Sequence, residues 1–358
     1  MAYPNSKIFD TRIDALPSDI YAVLSKIDQL KGHWSGRVNL SPQTLSRLKK
    51  YALVTSAGAS TRIEGAVLSD DEVRDLIDGL KITNISERDT EEVRGYIDAA
   101  NFIFDHYDDI QLTENHLKEI HQKLLGHSSK DVSHRGEYKH MPNDVVAKDN
   151  KGQTIGIVFK TMPPLETPMA MEELMAWTRN AINEQKYHPL LIIANFIVEF
   201  LRIHPFIDGN GRTSRLLTTL LMLKTDFEYV PYVSMEKIIE DNKADYYIAL
   251  RQSQNTFATD NETIESWTRF FLDVCLKQAQ EAYDIVAGEN LSSILSKSQN
   301  EVYLIAKNFT EFAIKDIEQN TDIPRPTIRQ AVDKLKSMGI IEAIGAGRGT
   351  RYKFTNMK

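Results

Sequence analysis

The chain has 358 residues, 42% of them hydrophobic, and carries a formal net charge of −7. This length allows a sizeable core and predicts two or three domains, and the negative charge excludes a polycation that binds nucleic acid without specificity. A single cysteine, Cys275, excludes an internal disulfide framework and a zinc site built from several thiolates.

Membrane insertion and export are not indicated by the sequence. No stretch approaches the roughly 20 apolar residues of a membrane span, and the first residues lack the basic and then apolar pattern of a signal peptide. We therefore expect a soluble, cytoplasmic protein without a membrane partner.

The first long helical pattern runs from Ser41-Pro42, a favourable N-cap and N1 pair, to Gly65. Near its end, Ser60 and Glu64 are four residues apart and therefore share one face of the helix. On its own, this pattern also fits an exposed glutamate that precedes a C-capping glycine.

The pattern stays helical from Asp70 to Ala100 and again from Thr113 to Leu125. The second of these helices carries a histidine, and three more follow in the next twenty residues: His121, His127, His134 and His140. Their spacings match no usual zinc ligand set, and no thiol or clustered carboxylate accompanies them. We therefore do not predict a zinc site here.

A β-hairpin is predicted in residues 145–164, where two β-type runs flank a polar, turn-rich tip at residues 148–152. The second run contains Ile155, Gly156, Ile157 and Val158. The residues alone fit an ordinary surface hairpin as well as a docking strand.

The loop that begins at His204 lies between two apolar, helix-patterned runs, Leu190 to Ile203 and Leu216 to Lys224. It contains Gly209, Asn210 and Gly211 directly before a helix start, so several backbone N–H groups can converge on one anion at the positive end of the helix dipole. The loop therefore predicts an anion site.

Four side chains of the same loop fit nucleotide chemistry. Arg212 and Arg215 lie three residues apart on one helix face and suit bidentate phosphate contacts. Asp208 offers an oxygen ligand for Mg²⁺, and His204 belongs to the residue type whose pKa suits a general base near neutral pH. Together they predict a nucleotide-phosphate site.

Helices follow the loop, from Val233 and then from Asn261 to Ala287. Tyr246 and Tyr247 lie between these two segments. Both are equally compatible with stacking on an adenine ring and with packing in the core. A linker is predicted around Gly288-Glu289-Asn290.

The last part of the chain has a more basic composition, with eleven Lys and Arg against seven Asp and Glu between Lys297 and Lys358. Helices are predicted at about 297–307, 312–320 and 325–338, and a hairpin follows with strands at 340–344 and 352–354. This order resembles a winged helix. The helix at 325–338, the second of the helix-turn-helix, offers Arg325 and Arg329 for a DNA major groove, and the wing offers Arg348 and Arg351. A winged helix that contacts only protein stays equally open.

Residues 204–215 fill every defined position of His-x-Phe-x-Asp/Glu-Gly-Asn-Gly-Arg-x-x-Arg, and on this motif the chain resembles the Fic family. Two further segments are similar to family elements: Ser60-Thr61-Arg62-Ile63-Glu64-Gly65 resembles the inhibitory-helix motif, and Gly136-Glu137-Tyr138-Lys139 resembles the Gly-x-Phe/Tyr-Arg element before the flap. Lys139 departs from the family's usual arginine.

The resemblance implies a mainly α fold: a Fic-type helical bundle with a β-hairpin flap and a small C-terminal winged helix-turn-helix domain. The implied domains are an N-terminal helical region at 1–95 with its inhibitory helix at about 41–65, a Fic catalytic domain at 96–287, and the winged helix at 296–358. Residues 155–158 would then dock an extended protein target by strand addition.

The resemblance also implies an activity, the transfer of AMP from ATP to a Ser, Thr or Tyr hydroxyl of a protein, including the chain itself. In this scheme His204 is the base, Asp208 holds Mg²⁺ or Mn²⁺, and the remaining groups bind the nucleotide: Gly209, Asn210, Gly211, Arg212, Arg215, Tyr246 and Tyr247. Glu64, with Ser60, would inhibit by competing with the γ-phosphate for Arg215.

Other functions stay open. Members of the family also remove AMP, with the same glutamate positioning water, and branches that depart from the usual loop transfer phosphate or phosphocholine. A regulator that binds DNA and uses the Fic domain only to sense nucleotide is the main alternative. The sequence names neither the target protein nor the oligomeric state, and a homodimer stays open.

Overall fold

The computed structural model describes residues 6–37, 40–79, 86–148, 154–337, 340–345 and 350–355. Residues 149–152 of the hairpin tip predicted at 148–152, the helix end predicted at 338 and Arg348 of the predicted wing lie outside these residues. Within the described residues, no helix is both long and apolar enough to cross a lipid bilayer.

The fold is mainly helical, as predicted, and the chain divides into two compact units, residues 1–283 and 284–358. The finer predicted division at residues 95–96 and the predicted start of the last domain at 296 stay predictions. The helices of the first unit, the last of which continues past residue 283, are α1 (Ser6–Asp14), α2 (Ile20–Arg37), α3 (Pro42–Ile63), α4 (Asp70–Ile77), α5 (Glu87–His106), α6 (Glu114–Leu124), α7 (Thr167–Asn183), α8 (Pro189–Ile203), α9 (Asn210–Lys224), α10 (Met235–Asp241), α11 (Lys243–Gln254) and α12 (Glu265–Ile294).

Two adjacent helices, α8 and α9, form the centre of the first unit. Nearly every residue of both is buried, and a helix that is buried on all sides belongs in the interior of a domain. The helices α3, α5, α6 and α8 all pack against α9. The loop between α8 and α9 is thereby fixed at both ends by the most buried elements of the unit.

Local capping explains where the helix α3 begins and ends. The Ser41 hydroxyl accepts a hydrogen bond from the Thr44 N–H, and Pro42 occupies the first helical position, as the sequence predicts. Glu64 is the C-cap residue, and Gly65 follows with a φ of 109°, a value that favours glycine. Glu64 therefore sits at the helix end rather than on its side.

The predicted hairpin forms in the first unit, where β1 (Val145–Lys148) pairs with β2 (Thr154–Phe159) in an antiparallel sheet. The register joins Val145 to Phe159 and Lys148 to Thr154, with two irregularities between them. Within the described residues β2 pairs with β1 alone, so its other edge has unpaired backbone groups, which are able to accept a further strand.

The second unit contains α13 (Lys297–Ala306), α14 (Ile314–Glu318) and α15 (Arg325–Ser337), followed by β3 (Ile341–Ile344) paired antiparallel with β4 (Arg351–Phe354). Its core is a separate cluster that includes Phe312, Ile328 and Leu335. The interpretation of this unit as a winged helix, and its contact with DNA, stay predictions.

Two local predictions are wrong. The linker expected at Gly288-Glu289-Asn290 is helical, because α12 continues to Ile294; one glycine costs a helix only about 1 kcal/mol and does not end it. The helix expected from Phe312 begins two residues later, because Phe312 exchanges backbone hydrogen bonds with Tyr352 and is fully buried.

Candidate active site

The loop from α8 to α9 depends on two residues with left-handed backbone conformations. His204 is the C-cap of α8, with φ 53° and ψ 58°, and its N–H donates to the Phe200 carbonyl over 2.8 Å. Gly209 is the N-cap of α9, with a φ of 77°. The strained histidine turns the chain out of α8, and non-glycine residues in this conformation cluster at functional sites.

Two amide side chains, the buried Asn210 and the partly buried Asn143, hold the loop in shape. The Asn210 amide accepts from the Phe206 N–H over 2.9 Å and donates to the Phe206 carbonyl over 2.7 Å. The Asn143 amide donates to the carbonyls of His204 and Phe206. The Asn210 side chain is therefore committed to the loop, so its contribution to an anion site is the backbone N–H at the start of α9.

His121 supports the loop from α6. Its ring stacks on Phe206, with centroids 3.7 Å apart, and its Nδ1 accepts from the Gly136 N–H over 2.9 Å. This fixes the tautomer, so that Nε2–H donates to the Asp208 carbonyl over 3.0 Å. Burial lowers the pKa of His121 to about 4, and the ring is neutral. The sequence drew attention to His121 only as one of four histidines that were considered, and rejected, as zinc ligands.

Lys139, which stands where the family usually has arginine, is almost fully buried. Its ammonium donates to the Ile203 carbonyl over 2.9 Å, to Asn143 over 2.8 Å and to Thr161 over 3.1 Å, and its backbone N–H donates to the Pro205 carbonyl. Burial lowers the pKa of Lys139 to about 8. One side chain thus joins the end of α8 to the segment that follows the hairpin.

Replacing Lys139 with methionine is expected to lower the free energy of unfolding by about 2 to 3 kcal/mol, because several buried acceptors lose a charged donor. Thermal and urea unfolding would measure this change. The matched control is Lys160→Met, since Lys160 is an exposed lysine near the same hairpin. Equal stability of the two variants would contradict the structural role of the Lys139 ammonium.

The imidazole of His204 lines a cavity of about 300 Å³. Its Nδ1 lies 3.3 Å from the Leu201 carbonyl, which favours the tautomer with a proton on Nδ1 and a free lone pair on Nε2. Burial lowers the pKa of His204 to about 4. The ring is therefore unprotonated at neutral pH and able to accept a proton.

Asp208 and Arg212 lie side by side at the same cavity. The Asp208 carboxylate accepts from the Gly209 N–H over 2.6 Å and lies 3.4 Å from Arg212. Burial alone would raise the pKa of Asp208, but the Arg212 guanidinium and the Gly209 N–H outweigh it and hold the pKa below its usual range. Asp208 is therefore an ionised oxygen ligand.

A divalent cation fits this arrangement. Asp208 is about one third exposed, and Mg²⁺ is commonly bound by one carboxylate together with substrate phosphates and water. In the described part of the chain, no group of three or more His, Cys, Asp or Glu side chains could hold a metal without substrate. The residues therefore fit a metal that arrives with a nucleotide.

Arg215 lies beneath the start of α9, where its side chain is 4% exposed. The guanidinium donates to the Ser60 hydroxyl, to the Ser60 carbonyl and to the Glu64 carboxylate, each over 2.9 Å. Burial would lower the pKa of Arg215, but Glu64 raises it. The expected pairing of Arg215 with Glu64 is thus present in the structure, and Ser60 adds contacts that the sequence did not predict.

Unused donors remain on both arginines. In the described structure, Nη1 of Arg215 and Nε of Arg212 are buried and have no hydrogen-bond partner, whereas Nη1 of Arg212 forms an ion pair with the Glu92 carboxylate over 3.3 Å. Such groups are costly to leave unpaired inside a protein. The Arg215 Nη1 lies near Gly211, because a Cβ built on that glycine would be 3.5 Å away from it. The unpaired Arg215 donor therefore lies beside the anion site at the start of α9.

Glu64 occupies this anion site. A Cβ built on Gly211 would lie only 2.2 Å from the Glu64 carboxylate, so the carboxylate rests directly on the backbone of the first turn of α9. A carboxylate at a helix N-terminus imitates the negative charge of a phosphate. Glu64 therefore places a carboxylate at the helix N-terminus where the sequence predicted an anion site.

A buried polar pair lies behind Arg215. The Tyr96 hydroxyl donates to Glu236 over 2.7 Å, and both side chains are almost inaccessible to solvent. Burial and the neighbouring carboxylate raise the pKa of Tyr96 well above its usual range. The sequence did not predict a role for Tyr96 or Glu236, because nothing distinguishes either of them from other residues of a helix.

Tyr246 and Tyr247 both line the cavity, but they differ in exposure. Tyr246 is 4% exposed and packs edge-on against Trp267 and Phe270, which favours the core alternative. Tyr247 is 40% exposed and can present its ring to a ligand. Phe159, the last residue of β2, also lines the cavity, so the strand with residues 155–158 ends at the site.

Comparison with known proteins identifies this region. A model of the Fic/DOC family matches residues 111–222. The chain is 25% identical over 248 residues to "Protein adenylyltransferase Fic" of Drosophila persimilis; the match covers 69% of this chain and 44% of that protein. The chain therefore spans less than half the length of this curated relative.

Two solved structures share the fold. A Fic family protein from Desulfovibrio desulfuricans G20 has a TM-score of 0.62 at 23% identity, covering 96% of this chain and 98% of that one. A Fic domain containing signaling protein from Bacteroides thetaiotaomicron has a TM-score of 0.61 at 24% identity, covering 74% and 98%. Together with the family model over residues 111–222, which include the loop, these shared folds support a Fic family protein.

Proposed function

We propose that this protein transfers AMP from ATP to a hydroxyl side chain of a protein, and that Glu64 restrains the reaction. The observation that carries the proposal is the cavity that brings together an unprotonated His204, an ionised Asp208 and Arg212, with Arg215 paired to the Glu64 carboxylate in its wall. The name of the Drosophila relative, a protein adenylyltransferase, supports it.

In the proposed reaction, His204 Nε2 accepts the proton of the target hydroxyl as its oxygen bonds to the α-phosphorus. The bond from this phosphorus to the bridging oxygen breaks, and pyrophosphate leaves. The backbone N–H groups at the start of α9, from Gly209 to Gly211, stabilise the charge on the α-phosphate. Arg212 holds the departing pyrophosphate, and Arg215 binds the γ-phosphate.

Asp208 would hold Mg²⁺ or Mn²⁺ against the nucleotide. When bound, such a metal neutralises charge on the phosphate oxygens. Tyr247, the more exposed of the two tyrosines, would cover the adenine ring, and Tyr246 would support it from the core.

The protein substrate would be aligned by the hairpin. The unpaired edge of β2, which contains Ile155, Gly156, Ile157 and Val158, would pair with an extended target segment. Because β2 ends at Phe159 in the wall of the cavity, a segment paired there would run toward His204. Backbone pairing is tolerant of sequence, so this surface does not define the target's identity.

Glu64 would inhibit by occupying the anion site, and it also allows a second activity. Its carboxylate lies at the cavity and is about one third exposed, so it could also orient water toward an AMP group on a modified protein. Removal of AMP is therefore a second reaction of the same site. The alternative in which the chain binds DNA stays a prediction.

The test is incubation of the Glu64→Gly variant with Mg²⁺ and ATP labelled at either the α- or the γ-phosphate. We expect the α-label, and not the γ-label, to appear covalently on the protein, because AMP transfer retains only the α-phosphorus. Incorporation of the γ-label would indicate phosphate transfer instead. No incorporation of either label into the protein or into lysate proteins would contradict the proposal.

A further inference from the structure

Arg62 lies two residues before Glu64, in the last turn of α3, and its guanidinium binds two other elements. Its Nε donates to one carboxylate oxygen of Glu240 over 2.6 Å, and its Nη2 donates to the other over 3.1 Å. This bidentate pair connects the end of α3 to α10, and bidentate arginine pairs fix geometry as well as charge.

The same guanidinium also holds the chain that leaves α3. Its Nη2 donates to Asp70, the first residue of α4, over 2.9 Å, and its Nη1 donates to the Leu68 carbonyl over 2.7 Å. The Arg62 side chain is 19% exposed, so these contacts are partly shielded from water. One residue thus joins α3, α4 and α10 next to the Glu64 position.

Gly58, one turn earlier in α3, leaves the space that the guanidinium occupies. A Cβ on Gly58 would lie 2.6 Å from the Arg62 Nη1 and 2.8 Å from the Asp70 carboxylate. Glycine within a helix costs about 1 kcal/mol relative to alanine. The close approach of the guanidinium gives a physical reason for a glycine at this position.

The backbone next to Glu64 is held from α11. The Lys243 ammonium lies 3.3 Å from the Arg62 carbonyl, and the Tyr247 hydroxyl lies 3.4 Å from the Ile63 carbonyl. By contrast, the Glu64 side chain is about one third exposed. Its position against Arg215 therefore depends on where the surrounding contacts place the end of α3.

We propose that Arg62 is a positioning residue that keeps Glu64 in the anion site, so that its contacts with Glu240 and Asp70 set the strength of inhibition. This proposal rests on the proposed function, in which Glu64 competes with the γ-phosphate. Arg62 acts through Glu64 and does not touch the cavity. Loosening the end of α3 should let Glu64 leave Arg215 more often and admit ATP in a productive position.

The first experiment measures self-modification with ATP labelled at the α-phosphate. Arg62→Ala is expected to raise the rate about three- to tenfold, less than Glu64→Gly does, because Glu64 remains but is held less firmly. Arg62→Lys, which keeps the charge and loses the bidentate geometry, should lie between wild type and Arg62→Ala. Arg74→Ala, which removes an exposed pair with Asp71 on α4, is the matched control and should leave the rate unchanged.

A double variant separates positioning from a general structural role. In the Glu64→Gly background, Arg62→Ala should cause no further rise, because the residue through which Arg62 acts is gone. A rate that stays at the wild-type level in Arg62→Ala, or falls in both backgrounds, would overturn the proposal. If Glu64→Gly itself leaves the rate unchanged while the α-label is still incorporated, inhibition by Glu64 fails and the role of Arg62 fails with it.

Discussion

Replacement of Glu64 by glycine is expected to raise the rate of self-modification by about 10- to 100-fold, the range of a typical coupling between competing ligands. The carboxylate that is 2.9 Å from Arg215 and lies on Gly211 would be gone. Both the buried guanidinium and the start of α9 would then be free for phosphate. Initial rates with α-labelled ATP, measured below saturation, report the change.

The position of Glu64 at a helix end allows a matched control. Glu184 is the C-cap of α7, as Glu64 is of α3, and it does not line the cavity. Glu184→Gly therefore repeats the same backbone change without clearing the anion site, and it should leave the rate unchanged. Glu64→Gln, which keeps the shape and removes the charge, should raise the rate partially. Equal rates for wild type and Glu64→Gly would contradict inhibition by this residue.

The loop chemistry was predictable because it is encoded within twelve consecutive residues. Glycines that allow a tight turn, a helix start and the spacing of Arg212 and Arg215 are local properties, and the structure has them where the sequence indicates. The pairing of Glu64 with Arg215 joins residues 151 positions apart. No periodicity of this single sequence reveals such a contact, and it was expected only through the resemblance to the family.

Residues that support the site were harder to predict. His121 and Lys139 form hydrogen bonds inside the fold. The sequence drew attention to them only as a rejected zinc ligand and as a departure from a family element, and neither observation predicts these contacts. The same holds for Arg62, whose partners come from two other helices. Long-range polar contacts of this kind depend on tertiary packing, whereas capping and hydrophobic periodicity depend on near neighbours.

The basicity of His204 is a quantity that the sequence could not give. An imidazole in water titrates near neutral pH, and the sequence predicted a base matched to that range. Burial in the cavity lowers the pKa of His204 to about 4. A larger fraction of His204 is therefore unprotonated at neutral pH, but the imidazole is a weaker base. The negative charge of a nearby phosphate would raise its pKa and so strengthen it as a base.

Replacing His204 with alanine in the Glu64→Gly background is expected to slow self-modification at least about 100-fold, because the hydroxyl loses its proton acceptor. ATP binding should persist, since Arg212, Arg215 and the N-terminus of α9 are unchanged. Incorporation of α-label and calorimetric ATP binding, measured on the same preparation, separate these two effects. His140→Ala, which removes an exposed histidine, is the matched control and should keep the full rate.

The pH dependence tests the same residue independently. Since kcat/KM reports the free enzyme's base, and since the reactive form of His204 is unprotonated, the rate should fall only as the pH approaches about 4. At pH 5 about nine tenths of such a histidine is still unprotonated, compared with a few per cent for an imidazole of ordinary pKa. The Glu64→Gly variant should therefore keep most of its kcat/KM from pH 7 down to pH 5. A decline centred near pH 6.5 would show that His204 titrates as an exposed histidine and that burial does not lower its pKa. An unchanged rate in the His204→Ala double variant would show that this residue is not the base of the reaction.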